Sequence, residues 1–141
     1  MEMVVPISKI LDYIQLKLVI IREYLNEMNC DAVLLHREDN ISWLTCEVLS
    51  ELSGNLQFGK LALLVTINEF YIITSNPEVL RTIDREMSGL QLKVIQLSIY
   101  GSIEEEVTRI MGGQKVSSDT EMGVYQAETS QLDELRFSIL R

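Results

Sequence analysis

A pair of strand-like runs separated by two residues most constrains how this chain can fold. The runs are KLALLVT, residues 60–66, and EFYIIT, residues 69–74, with only Ile67 and Asn68 between them. Two strands joined by so short a connection lie antiparallel, as a β-hairpin. The other segments of the chain therefore have to be arranged around an antiparallel strand pair.

The segment before the hairpin begins with a helical pattern. Apolar residues recur every three or four positions from Ile7 to Met28, which predicts a long amphipathic helix. Pro6 suits its first turn, and Asn29 supplies a stop. AVLL, residues 32–35, then has the continuous apolar character of a strand that is covered on both faces.

The sequence after the hairpin continues this alternation. A helix is predicted to start at a Ser75 or Asn76 cap, with Pro77 in its first turn, and a strand to follow from Leu90 to Gln96. Ser102 is predicted to cap a helix over residues 102–113. A strand over residues 115–119 and a closing helix over residues 130–141 complete the predicted order. Strands and helices that alternate around a hairpin predict an α/β fold with a sheet of mixed direction.

Length and composition favour one soluble domain over residues 1–141. No apolar run approaches the roughly 20 residues that cross a bilayer, and the first residues lack the basic region and cleavage site of a signal peptide. The chain stops at Leu140 and Arg141, inside a helical pattern, so we expect it to be a piece of a longer protein.

Charge and cysteine content narrow the partners and the compartment. Twelve Lys and Arg against 21 Asp and Glu give a net charge of −9, which disfavours nucleic acid and anionic membranes as partners. Cys30 and Cys46 each lie in an apolar neighbourhood, which suits reduced thiols in a cytoplasmic protein. A disulfide between them is the alternative.

The motifs of nucleotide and metal binding are incomplete. GNLQFGKL, residues 54–61, resembles a phosphate-binding loop but ends in Leu61 where Ser or Thr would bind Mg²⁺, and it leads into a strand instead of following one. We interpret it as a turn. With one histidine and two cysteines, and without EF-hand spacing, the sequence predicts no metal site.

The loop HREDN, residues 36–40, is the candidate contact surface. It contains the only histidine of the chain, and the only tryptophan, Trp43, follows within a short predicted helix that Glu38, Asp39 and Asn40 would cap. Ligands of open α/β sheets bind beside the carboxyl ends of strands, where this loop lies. A Cys46 nucleophile assisted by His36 is an alternative, although no orienting group or oxyanion loop is apparent.

The order of these segments resembles a known family. IREYLNEMNCDAVLLHREDNISWLT, KLALLVTINEFYIITSNPEVLRTI and KVSSDTEMGVYQAETSQLDELR together are similar to the N-terminal domain of creatinase, prolidase and aminopeptidase P. The resemblance covers nearly the whole chain. One departure is at Cys46, which follows Thr45 where family members commonly have a glycine-bearing turn.

The resemblance implies a ribonuclease H-like, three-layer α/β/α fold and a larger, homodimeric metallopeptidase. Its catalytic domain, which binds two divalent ions (Mn, Co or Zn) and acts on Xaa-Pro peptides, would lie downstream of this chain, which itself holds no cofactor or catalytic residue. The N-terminal domain would serve dimerisation and bring a loop near the substrate of the neighbouring subunit. By position, the substrate-proximal residues here are His36, Arg37, Asn40 and Trp43.

Two other functions stay open. A stand-alone binding module could have the same fold without peptidase activity. A small thiol hydrolase using Cys46 would be inactivated by thiol alkylation.

Overall fold

Helices and strands alternate along the chain in the order that the sequence predicts. A computed structural model describes residues 7–49, 60–122 and 125. The elements are α1 (Ile7–Glu27), β1 (Ala32–Leu35), α2 (Glu38–Leu44), β2 (Leu61–Thr66), β3 (Phe70–Thr74), α3 (Pro77–Glu86), β4 (Lys93–Gln96), α4 (Ile103–Met111) and β5 (Val116–Ser118). Pro6, the predicted closing helix over residues 130–141 and all but the last two residues of GNLQFGKL lie outside the described residues.

The strands form one five-stranded mixed sheet in the order β4-β3-β2-β1-β5. β1 pairs antiparallel with β2 and parallel with β5, while β3 pairs antiparallel with β2 and parallel with β4. β2 therefore runs against the other four strands, whose carboxyl ends share one edge of the sheet. The mixed direction predicted from the hairpin is confirmed.

The sheet separates two apolar cores. Side chains of successive strand residues point to opposite faces, so Val33 and Leu35 enter one core while Ala32 and Leu34 enter the other. The first core is closed by residues of α1, α2 and α3, and the second by residues of α4. This arrangement is the three-layer α/β/α fold that the resemblance implied.

The hairpin forms as predicted, and Thr66 closes its turn. Leu61 to Val65 of β2 face Thr74 to Phe70 of β3 in antiparallel register. The Thr66 hydroxyl accepts hydrogen bonds from the backbone N–H groups of Asn68 (3.3 Å) and Glu69 (2.9 Å). A threonine at the end of the first strand thus satisfies donors that the turn would otherwise leave open.

Three predicted helix-end signals are confirmed. The Asn76 side chain accepts from the Glu78 N–H at 2.9 Å at the start of α3, and Ser102 accepts from the Glu105 N–H at 3.3 Å at the start of α4. α1 ends at Glu27, and Asn29 has a φ of 51°, a left-handed conformation that asparagine tolerates better than most residues.

One predicted boundary was wrong, and one predicted helix cap is formed only in part. β4 begins at Lys93 and not at Leu90, because Leu90 is buried in the first core and its N–H closes a turn onto the Met87 carbonyl. The capping of α2 expected from Glu38, Asp39 and Asn40 is formed in part, because Asp39 Oδ1 accepts the Asn40 backbone N–H at 2.9 Å. Arg37 occupies the N-cap position without a side-chain cap bond, and Glu38 and Asp39 lie inside the first turn.

Candidate functional site

The HREDN loop lies where two parallel strands end side by side. β1 ends at Leu35 and β5 ends at Ser118, and the two strands pair in parallel, so the residues that follow them are neighbours. The loop follows β1 and Asp119 follows β5. The predicted position of the loop at the carboxyl end of a strand is therefore confirmed.

The Asp119 carboxyl group holds this loop in place. Its Oδ1 accepts the His36 backbone N–H at 2.8 Å, and its Oδ2 accepts the Arg37 N–H at 2.9 Å and the Asn40 side-chain Nδ2 at 3.0 Å. Asp119 is only 1% exposed, so these bonds are shielded from water. One side chain thereby supplies acceptors to the turn that leads into α2.

The sequence interpretation missed Asp119 as a site residue. The sequence pattern predicts Asp119 as the last residue of the strand KVSSD, and its partners lie about 80 residues earlier in the chain. The available signal was an aspartate directly after a strand predicted to join the same sheet. That signal does not identify which loop the carboxyl group contacts.

The four predicted site residues differ in burial, with Asn40 buried and His36, Arg37 and Trp43 partly exposed. His36 and Arg37 are partly exposed, and the Arg37 guanidinium pairs with Asp39 at 2.5 Å. Asn40 is 3% exposed and its amide is committed to Asp119. Trp43 packs against the first core. A substrate-facing role therefore stays a prediction for all four, with His36 and Arg37 the more accessible.

Lys17 of α1 anchors the other end of α2. Its Nζ lies 5.1 Å from the centroid of the Trp43 ring, a cation–π distance, and donates to the Trp43 carbonyl. The same Nζ lies 3.4 Å from the Cys46 sulfur. These contacts tie α2 to α1, and the Trp43 Nε1 is buried without a hydrogen-bond partner among the described residues.

The turn after α2 adopts the backbone conformation that glycine favours. Cys46 has a φ of 50° and Glu47 a φ of 67°, both in the left-handed region. This is the place where the resembled family commonly has a glycine-bearing turn. Cys46 and Glu47 therefore adopt this conformation without glycine, at a cost in backbone strain of about 1 kcal/mol each.

The two cysteines are free thiols. The Cys30 sulfur contacts the carbonyls of Ala32 and Lys115 in the interior, at 3.3 and 3.4 Å. The hydrogen-bond partners of Cys46 within the described residues are Lys17 and the Ile10 carbonyl; His36 is not one of them.

Next to the loop, the protein surface forms a shallow, open depression. It is lined by Arg37, Glu38, Asp39 and Ser42 and has a volume of about 440 Å³. Mixed charges in a shallow surface suit contact with a polar partner, since small-molecule pockets are more enclosed and more apolar.

Neither a metal-ligand cluster nor a membrane-spanning helix occurs in residues 7–49, 60–122 and 125. No group of three or more His, Cys, Asp or Glu side chains there is placed to hold a metal ion. No helix in these residues is long and apolar enough to cross a membrane.

The described elements form a three-layer α/β/α fold with a loop at the carboxyl end of β1. One solved structure with this fold is the creatinase/prolidase-like N-terminal domain of a protein from Corynebacterium diphtheriae that is named as a metallopeptidase. The likeness has a TM-score of 0.56 at 18% sequence identity and covers 90% of this chain and 88% of that chain. No family model and no curated protein matches the sequence.

Proposed function

We propose that this chain is the non-catalytic N-terminal domain of a metal-dependent hydrolase of the Xaa-Pro dipeptidase or aminopeptidase P type. The observation that carries the proposal is the domain-length likeness to a domain that stands at the N-terminus of a protein named as a metallopeptidase. In the parent protein the domain serves dimerisation and substrate access, and the Asp119-anchored loop is the part that approaches a substrate. The reduced thiols suit a cytoplasmic parent.

The two divalent ions of such an enzyme do not fit the described residues. Hydrolysis with metal-activated water needs ions held by several ligands at once, and the described residues contain no such group. We assign no metal-dependent step to this chain, and the ions belong to the proposed downstream domain.

Gene length and a domain deletion test the proposal together. The natural open reading frame is expected to continue beyond Arg141 into a domain with peptidase activity on Xaa-Pro substrates. Removal of residues 1–141 from that protein should change its oligomeric state, measured by light scattering, and its kcat/KM. A reading frame that ends at Arg141 would favour the stand-alone binding module, for which the self-contained loop and its mixed-charge depression are the supporting observations.

The isolated chain is expected to hydrolyse no Xaa-Pro peptide with Mn²⁺, Co²⁺ or Zn²⁺ added, because the ligand set for the ions is missing from its described residues. The measurement is release of proline from an Xaa-Pro dipeptide, with a full-length Xaa-Pro peptidase as the positive control. Metal-dependent turnover that co-purifies with the chain through several columns would contradict the assignment as a non-catalytic domain. Turnover lost after alkylation of Cys46 would support the thiol hydrolase.

Alanine at His36 or Arg37 should leave the Tm of the isolated chain nearly unchanged but alter KM or kcat of the parent enzyme. Asp119 binds these residues through their backbone N–H groups, which alanine retains, and the exposed Arg37–Asp39 pair contributes about 0–1 kcal/mol. Thermal unfolding of the isolated chain measures the Tm, and steady-state kinetics of the parent enzyme measure KM and kcat.

The matched control for these substitutions is Asn40→Ala. It removes a side chain that bonds to Asp119 directly, so it should lower the Tm clearly. If His36→Ala and Arg37→Ala lower the Tm as much as Asn40→Ala does, their side chains are structural and the substrate-facing role is lost.

A further inference from the structure

A cavity of about 230 Å³ lies on the opposite side of the domain from the HREDN loop. It is located between α1 and the β2–β3 hairpin, and is lined by Gln15, Leu18, Val19, Arg22, Asn68, Glu69, Leu90 and Gln91. Its volume is below the roughly 300 Å³ at which pockets for drug-sized ligands begin, so it admits only a small ligand.

Arg22 is the charged group that gives this cavity its chemistry. The guanidinium is half-buried, and its Nε donates to the Thr66 carbonyl of the hairpin at 3.0 Å. Burial lowers the pKa of Arg22 and the nearby Glu69 carboxylate raises it, yet the group stays charged at neutral pH. The hydrogen bond from Nε occupies one edge of the planar guanidinium group. The two terminal amino groups are left to donate hydrogen bonds to a ligand.

Within the described part of the chain, Arg22 has no ion-pair partner. Glu69 is the acidic residue whose charge raises the pKa of Arg22, and its carboxylate forms an ion pair with Lys93 at 3.3 Å. Arg22 and Glu69 are the charged residues that line the cavity, and Lys93, which lies outside the lining, neutralises the Glu69 carboxylate. A partly desolvated guanidinium is stabilised by an anion that accepts two parallel hydrogen bonds.

The other residues that line the cavity indicate which chemical groups a ligand needs besides its negative charge. Leu18 and Leu90 are buried side chains that supply an apolar surface. Gln15, Asn68 and Gln91 contribute neutral amides, which can donate to or accept from a polar head group. We propose that this cavity binds a small aliphatic carboxylate, whose head group pairs with Arg22 and whose hydrocarbon part lies against Leu18 and Leu90. The site is independent of the function proposed for the HREDN loop.

Titration of the isotopically labelled chain with isovalerate tests the site by NMR. In wild-type protein we expect saturable shifts of the Gln15, Asn68 and Gln91 side-chain amides, with no shifts at Asn26 and Asn29, which do not line the cavity. Isovaleramide has the same shape without the charge and should bind about tenfold more weakly or worse, as expected for loss of a charge-assisted hydrogen bond. Inorganic phosphate should bind more weakly than isovalerate, because it has no apolar part.

Arg22→Gln should weaken isovalerate binding by about tenfold or more, whereas Arg85→Gln on the exposed surface of α3 should leave it unchanged. Circular dichroism verifies the fold of both variants, and Arg22→Lys replaces Arg22→Gln if the latter unfolds. No saturable shift in wild-type protein, or equal binding of isovalerate and isovaleramide, overturns the proposal. Phosphate binding that exceeds isovalerate binding overturns the assigned ligand class.

Discussion

Replacing Asp119 by asparagine is expected to lower the free energy of unfolding by about 2–4 kcal/mol. The carboxyl group accepts three hydrogen bonds from His36, Arg37 and Asn40 in a site that is almost fully buried. An asparagine amide has the same size but offers one oxygen, and its NH₂ group would face at least one donor. Donors left without acceptors in a buried site account for the expected loss.

Urea denaturation of the isolated chain measures this loss, and Asp84→Asn serves as the control. Asp84 is exposed on α3, so the same chemical change there should stay within about 0.5 kcal/mol of the wild type. A double-mutant cycle with Asn40→Ala isolates the bond between the two side chains. If Asp119→Asn is as stable as Asp84→Asn, the HREDN loop is not held by Asp119.

Truncation of Leu34 to alanine should destabilise the fold by about 2–5 kcal/mol. Leu34 lies in β1, beside Leu64 of β2 and Ser118 of β5, and is fully buried in the core that α4 covers. Loss of its side chain removes apolar burial and leaves a cavity between two layers that cannot collapse freely.

Leu16→Ala on α1 is the matched control for this truncation. Leu16 is 53% exposed, and alanine is a slightly better helix former, so the free energy of unfolding should hardly change. Chemical denaturation of both variants under the same conditions provides the comparison. Equal effects of the two truncations would contradict the burial of β1 between the two cores.

The fold could be predicted from the sequence because its signals are local. The hairpin, the order of the elements and the caps at Asn76 and Ser102 all depend on residues within one or two turns of each other. The start of β4 was predicted too early because Leu90 fits the alternation of a strand. In the structure, Leu90 packs in the first core before the strand begins. Tertiary packing overrode the local pattern at that point.

The sequence predicted where the candidate site lies in the fold, but not which residues hold it in place. The carboxyl end of β1 was identifiable, and His36 and Arg37 do lie there at the surface. The buried state of Asn40 and the role of Asp119 depend on the parallel pairing of β1 with β5, which joins distant parts of the chain. Sequence patterns predict that a strand exists more readily than they predict its neighbours.

The parallel pairing of β1 with β5 also affects the order in which the domain assembles. The β2–β3 hairpin closes over a few residues, whereas the bond from Asp119 to His36 closes a loop of about 80 residues, at a larger cost in chain entropy. Among the described strands, β5 has three residues and lies at one end of the strand order, so we expect it to detach at lower free energy than the central strands. Because Asp119 directly follows β5, the conformation of the HREDN loop depends on the docking of β5 beside β1.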